Sequence, residues 1–261
     1  MATGETAAHT AVSNPRIRRV GLDDPWIWLA KGWRDLWAQP AIGLGYGALV
    51  TAISILLALG LFSLQMSSVV VALAAGFFLI GPLLAVGLYE TSRRLECDEP
   101  ITLTSVVIVG TRSPAQLAFL GVILMASFLI WVRAATLIFA LFFGAQAWPP
   151  LEQFLPTLLF TWHGLGLLVV GTVAGAVIAF AIFAASAVSV PLLMTERLDA
   201  VTAVITSFRS VIENPAPMLL WAWLVTILIG VGMVTGFLGL VVTFPLIGHA
   251  TWHAYRALIE V

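Results

Sequence analysis

The sequence predicts an all-α, polytopic membrane protein: six transmembrane helices form three hairpins, and a short amphipathic helix at the cytoplasmic interface precedes each hairpin. Three observations support this prediction. Apolar residues make up 61% of the chain, against about 45–50% in soluble domains. Apolar runs recur that are long enough to cross a hydrocarbon core of roughly 30 Å. Short amphipathic stretches rich in Trp, Asp and Pro precede some of these runs.

The chain begins with a polar and basic tail, residues 1–22, which has no apolar signal segment. We expect this tail to be disordered and cytoplasmic, and residues 23–261 to form a single transmembrane domain. The one cysteine, Cys97, excludes an internal disulfide. A net charge of -1 gives no argument for a nucleic-acid partner.

Apolar runs define the predicted spans. The last apolar stretch, Met218–Ile247, is too long for one span, and its central glycines predict a tight turn between two short helices. These two helices cover about Pro217–Thr235 and Phe237–Arg256. The first four spans are Ala41–Ser63, Ser67–Tyr89, Ala115–Phe143 and Gly164–Met194.

Basic residues set the predicted orientation, because the positive-inside rule keeps them in the cytoplasm. With six spans, eleven of the 12 Lys and Arg residues lie on one side, together with both termini. The remaining one, Arg133, lies inside span three, where an intramembrane charge marks either a functional site or a snorkelling side chain paired with Glu152. Trp148 and Trp162 in the outside loop Gly144–His163 suit an interfacial belt.

An internal repeat relates the first and last hairpins. Pro40 and Pro215 each end an amphipathic helix, predicted over Pro25–Gln39 and Ala200–Asn214, with Asp24 and Asp199 as N-caps. A fainter middle copy runs from Asp98 to Pro114, which gives repeat units of about 23–97, 98–198 and 199–260. The matching apolar positions are Trp26, Leu29, Trp33, Leu36 and Trp37 with Val201, Val204, Phe208, Val211 and Ile212.

Ionisable residues follow three prolines in the second helices of the hairpins. Proline kinks open space between helices, so these residues predict a polar-rimmed pocket on the cytoplasmic side. The alternative is that they mark where helices leave the membrane. The residues are Glu90, Asp199 and His253, each eight positions after its Pro, with Arg93 and Arg256 each eleven positions after.

Other chemical signals are sparse. His249 and His253 are spaced i, i+4 and would face one metal or haem iron, or else form a polar helix end. The glycines of Gly171–Gly175 predict close helix approach. No hydrolase, metalloprotease, phosphate-loop or dinucleotide motif is present, so we expect neither an enzyme nor a bound cofactor.

Four stretches together resemble one known family. The stretches "GWRDLWAQPAIGLGYG", "GPLLAVGLYETSRRLE", "DAVTAVITSFRSVIENPAPM" and "GHATWHAYR" are similar to the integral membrane proteins grouped as domain of unknown function 2189. The likeness runs from about Trp26 to Glu260. It implies a multi-pass protein of the bacterial inner membrane and assigns no catalytic or binding residue.

Three classes of function stay open. We expect a non-enzymatic accessory or structural protein that binds membrane lipids or a partner membrane complex. The alternative is a small-molecule transporter, which internal repeats and kinked helices favour. A haem or metal protein would depend on His249 and His253 alone.

Overall fold

Twelve helices and one short β pairing make up the part of the chain that the computed structural model describes, residues 15–64, 66, 69–144 and 151–260. The two strands are β1 (Arg16–Ile17) and β2 (Ile259–Glu260), which pair antiparallel. The helices are α1 (Asp24–Ala38), α2 (Pro40–Ser63), α3 (Val69–Leu84), α4 (Val86–Glu96), α5 (Leu103–Val107), α6 (Pro114–Phe143), α7 (Leu151–Phe160), α8 (Trp162–Ser186), α9 (Ser189–Thr195), α10 (Ala200–Glu213), α11 (Pro215–Val234) and α12 (Leu240–Leu258).

Five helical segments are long and apolar enough to cross a membrane. They overlap the first five predicted spans, and the second lies several residues further along the chain than predicted, so the all-α, multi-span class is confirmed. Two of these segments are interrupted by a short break. One consists of α3 and α4, and the other consists of α8 and α9. The segments are Pro40–Ser63, Ala72–Glu96, Pro114–Phe143, Trp162–Thr195 and Pro215–Val234.

The last apolar stretch divides into α11 and α12, as the sequence predicts, and the turn contains Gly236 and Phe237, both at φ 68°. α12 does not reach the hydropathy of the other five segments. It packs against α1, α2, α4, α9 and α11, and it buries His249 and Trp252 completely or nearly so. A helix that faces protein on most sides can carry polar residues, which explains its lower hydropathy. The sixth span remains a prediction.

The helices α1 and α10 each bury one face against the protein and expose another. In α1 the buried face includes Trp28, Gly32 and Leu36. The predicted single apolar face is therefore divided, since Leu36 is buried against the protein while Trp26, Trp33 and Trp37 remain exposed. In α10 the buried face includes Ala203, Ser207 and Val211. The exposed apolar residues are Trp26, Trp33 and Trp37 in α1, and Val201, Phe208 and Ile212 in α10.

The two predicted N-caps differ. Asp199 caps α10, since its carboxylate accepts a hydrogen bond of 2.9 Å from the backbone N–H of Thr202. Asp24 does not cap α1, because it is itself the first helical residue and its carboxylate accepts from the N–H of Gly21, on the preceding turn.

The predicted disordered tail contains ordered residues. β1 pairs with β2, Arg18 forms an ion pair of 3.2 Å with Glu260, and the N–H of Val20 donates to Asn214. The boundary of the tail at residue 22 therefore moves toward the N-terminus, and residues 1–14 lie outside the described part.

The predicted outside loop contains the helix α7, where Phe154 packs against Phe139. The loop sequence, with three prolines, did not indicate this helix, but Phe154 and Leu158 of α7 pack against residues of α6 and α8. Trp162 at the start of α8 is 87% exposed. Trp148 lies outside the described residues.

Candidate functional site

A cavity of about 670 Å³ lies among α3, α6, α7, α8, α11 and α12 and is partly open to the surroundings. This volume falls within the range of about 300–1,000 Å³ that is usual for small-molecule sites. Its walls are almost entirely apolar, and no charged side chain is among the described residues that line it. Its largest lining side chains include Phe78, Trp131, Phe183, Trp221 and Phe244.

Small residues on α8 leave the space for this cavity. Gly171, Gly175 and Ala179 are spaced four residues apart, so they share one face of the helix, and all three line the cavity. A Cβ atom at Gly171 would meet no atom within 4 Å, whereas one at Gly175 would lie 3.0 Å from Trp131. Gly175 therefore permits the close helix approach that the sequence predicts, and Gly171 borders open space instead.

Hydroxyl groups are among the few polar groups of the residues that line the cavity. Tyr89, Ser186 and Thr251 all line it, and they belong to α4, α8 and α12, which each pack against α9. The hydroxyls of Ser186 and Thr251 donate to carbonyls of their own helices. The hydroxyl of Tyr89 has no hydrogen-bond partner among the described residues, although the residue is only 2% exposed.

Glu90, the first residue of the predicted pocket, lies outside this cavity. It is 2% exposed, and its carboxylate accepts from Arg93 at 2.8 Å and from Arg94 at 2.6 Å. Arg93 also contacts Glu99 at 2.6 Å, and this hydrogen bond lowers the pKa of the Glu99 carboxyl. Glu90 and Arg93 therefore form a closed ion-pair cluster.

The other residues of the predicted pocket occupy separate contacts. Arg256 forms an ion pair of 3.1 Å with Glu96. Asp199 caps α10, and the hydroxyl and backbone N–H of Thr202 lower the pKa of its carboxyl. His253 contacts a different carboxylate altogether. Of the five residues only Glu90 and Arg93 are brought together, and none of the five lines the described cavity.

A buried polar network joins α1, α4 and α12, and the sequence analysis did not identify it. Asp35 Oδ2 accepts from Ser92 Oγ at 2.6 Å and lies 2.8 Å from His253 Nε2. Ser92 Oγ also lies 2.8 Å from His249 Nδ1. Asp35 follows Trp28 and Gly32 by seven and three positions, so helical spacing places it beside the buried face of α1 and was the available signal.

The chemistry of these groups fixes the direction of the hydrogen bonds. An ionised Asp35 only accepts, so Ser92 donates to it. The Ser92 oxygen then accepts the Nδ1–H of His249, which leaves Nε2 of this imidazole unprotonated. That Nε2 is buried and has no hydrogen-bond partner among the described residues.

The two histidines do not form a recognisable metal centre. Across the described residues, no group of three or more His, Cys, Asp or Glu side chains is placed to hold a metal ion. His249 and His253 instead connect to Ser92 and Asp35.

Arg133 lies on the exposed surface of α6. It makes no ion pair with Glu152 or any other acidic side chain of the described residues, so the predicted pairing is wrong. Since its position faces outward, its guanidinium is free to extend along α6 toward an interface.

Comparison with known proteins covers part of this architecture. A family model described as predicted integral membrane protein (DUF2189) matches residues 69–195, from α3 to the end of α9. Of the four stretches that suggested the resemblance, "GPLLAVGLYETSRRLE" lies inside this match and the other three lie outside it. No curated protein and no solved structure matches the chain. Residues 69–195 are therefore similar to the DUF2189 family of predicted integral membrane proteins.

Proposed function

We propose that this protein is a non-enzymatic accessory protein of the membrane that binds a membrane lipid through an acyl chain in the cavity between α3, α8, α11 and α12. The observation that carries the proposal is the cavity itself, which is large, apolar and without a charged lining residue. Apolar cavities of this kind exclude water and accept apolar ligands.

Acyl chains are the apolar groups that surround these helices in a bilayer. Residues such as Leu56, Val122 and Val177 are more than half exposed on the spans, so lipid would cover them. The cavity is partly open, and an acyl chain that enters it makes dispersion contacts that an empty space would lose. A membrane lipid is thus the occupant that we propose.

We further propose six spans, with both termini in the cytoplasm of a bacterial cell. The pairing of β1 with β2 supports an even number of crossings, because it holds residues near both ends of the chain side by side. The matching burial of α1 and α10 supports the proposed repeat. The Trp28, Gly32 and Leu36 positions correspond to Ala203, Ser207 and Val211.

A cavity-filling variant tests lipid binding. In Gly171→Leu the new side chain enters the cavity and should reduce the lipid that co-purifies with the protein, as counted by native mass spectrometry. Gly45→Leu is the matched control, since a Cβ at Gly45 also meets nothing within 4 Å, but Gly45 does not line the cavity. Equal lipid content in both variants and the unmodified protein would overturn the proposal.

Small-molecule transport is the second candidate, and one feature favours it. The breaks between α3 and α4 and between α8 and α9 lie at Ala85 and Ala187, and both residues line the cavity. Discontinuous helices beside a binding site are common in transporters. Proteoliposomes that carry a fluorescent lipid would reveal passage between leaflets. If the lipid binds but does not pass, the accessory role stands and transport of that lipid is excluded.

A further inference from the structure

We infer that the cavity selects an uncharged amphiphile, whose one neutral hydrogen-bonding group is bound by Tyr89 at the end of the cavity next to α9. This inference deepens the proposed lipid-binding function and rests on it. It names the class of ligand as an apolar chain that ends in a hydroxyl, ester or carbonyl group, in contrast to a lipid with an ionised group inside the protein.

The hydroxyl of Tyr89 is the group best placed for this role. The residue is only 2% exposed, and it lines the cavity. Its hydroxyl has no hydrogen-bond partner among the described residues. The fully buried polar side-chain atoms without a partner are Thr111 Oγ1, Thr243 Oγ1 and His249 Nε2, and the Tyr89 hydroxyl is not among them. Because Tyr89 lines the cavity, the proposal places this hydroxyl at the cavity wall. A buried polar group without a partner is costly, so a ligand that accepts its hydrogen bond gains stability.

Two further hydroxyls extend this polar end. Ser186 Oγ donates to the carbonyl of Ile182, and Thr251 Oγ1 donates to the carbonyl of Ile247. Each hydroxyl oxygen still has lone pairs to accept a hydrogen bond. The end of the cavity next to α9 can therefore both donate, from Tyr89, and accept, from Ser186 and Thr251, as a hydroxyl or monoester head requires.

Charge excludes the ionised alternative. None of the described lining residues is Lys, Arg, His, Asp or Glu, so an ionised group inside the cavity would be desolvated without a counter-ion. The neighbouring carboxylate of Glu90 is already paired with Arg93 and Arg94. No charge close to Tyr89 in the sequence remains to attract an ionised head.

Binding of three probes tests the inference. Delipidated protein is titrated with monoolein, oleic acid at a pH where its carboxyl group is ionised, and hexadecane, and bound probe is counted by native mass spectrometry. Monoolein should bind more tightly than either of the others. Tyr89→Phe should weaken monoolein binding by about 2- to 10-fold, the range that one neutral hydrogen bond supplies, and leave hexadecane binding unchanged.

Tyr46→Phe is the matched control, since its hydroxyl donates to the carbonyl of Leu84 and the residue does not line the cavity. This variant should bind monoolein as the unmodified protein does. Tyr89→Phe should also unfold at the same temperature as the unmodified protein, because the Tyr89 hydroxyl has no hydrogen-bond partner in the described part of the chain to lose. Equal monoolein binding by Tyr89→Phe, or stronger binding of ionised oleate, would overturn the inference while the cavity remained a lipid site. If none of the three probes binds, the proposed function itself fails.

Discussion

His253 Nε2 lies 2.8 Å from Asp35 Oδ2, so a side chain of the central helix α12 is joined to a carboxylate of the amphipathic helix α1. The same carboxylate oxygen accepts a hydrogen bond from the hydroxyl of Ser92 in α4. Both Asp35 and His253 have side chains that are 15% exposed, which keeps this contact away from most solvent. One carboxylate thereby connects three helices.

Asp35→Ala should destabilise the protein by about 1–3 kcal/mol, the cost of leaving buried polar partners unsatisfied. Ser92 and His253 would both lose their acceptor. Thermal unfolding in detergent measures the effect, with Asp23→Ala as the control, since Asp23 is exposed and makes no side-chain cap hydrogen bond. A double-mutant cycle with His253→Ala then separates the interaction energy between Asp35 and His253 from the other contributions of Asp35. Additive effects would contradict a direct interaction.

The class of the fold was predictable because hydropathy alone reports it. The residues that line a cavity or a helix contact depend on tertiary packing, which hydropathy does not resolve. Proline spacing placed Glu90 and His253 at equivalent steps, but Glu90 pairs with Arg93 and Arg94 of its own helix. The signal for Asp35 was its position three residues after Gly32 on the same helix. This face of α1 is recognised as buried only when the contact between α1 and α12 is known.

The small residues of α8 also depend on tertiary packing for their roles. Glycine four residues apart predicts close packing, and Gly175 does contact Trp131. Gly171 lies one turn away and borders empty space. Identical residues at equivalent spacing thus acquire opposite roles, because a bulky neighbour fills the gap at one turn and not at the other.

Gly32→Ala should destabilise the contact between α1 and α12 by about 1–3 kcal/mol, the usual cost of overpacking. A Cβ at Gly32 would lie 2.6 Å from the backbone nitrogen of Ala250, so backbone rather than a flexible side chain must move. Gly45→Ala, where the new atom meets nothing within 4 Å, is the control. Unfolding in detergent should distinguish the two variants, and equal stability would show that α1 and α12 are less closely packed.

Asp199→Ala should weaken α10 locally by about 0.5–2 kcal/mol, the usual value of an N-cap. Hydrogen exchange of the first turn of α10 measures the loss. Asp24→Ala should have no comparable effect at α1, because Asp24 does not cap that helix. Equal loss of protection at both helices would contradict this difference.

The contribution of the Asp199 cap should also depend on pH. The hydrogen bonds from Thr202 lower the pKa of the folded carboxyl below its unfolded value. The stabilisation is therefore present above the unfolded pKa and disappears as the pH falls through the folded pKa. Exchange of α10 in the unmodified protein and in Asp199→Asn, compared at each pH, checks this. Asn still accepts a hydrogen bond but does not titrate, so only the unmodified protein should lose protection in acid.

Labelling of cysteines should reveal six crossings, with both ends of the chain in the cytoplasm. Cys97 is exposed and is the one cysteine of the chain, so an impermeant maleimide should label it only after cells are opened. In a Cys97→Ser background, Trp162→Cys and Val234→Cys should be labelled in intact cells. Both positions are highly exposed, and both lie on the outer side of the membrane in this topology. Glu260→Cys should be labelled only after cells are opened, because β2 pairs with β1, which lies on the cytoplasmic side in this topology. Labelling of Glu260→Cys in intact cells would mean that α12 does not return the chain across the membrane, and the six-span arrangement would be wrong.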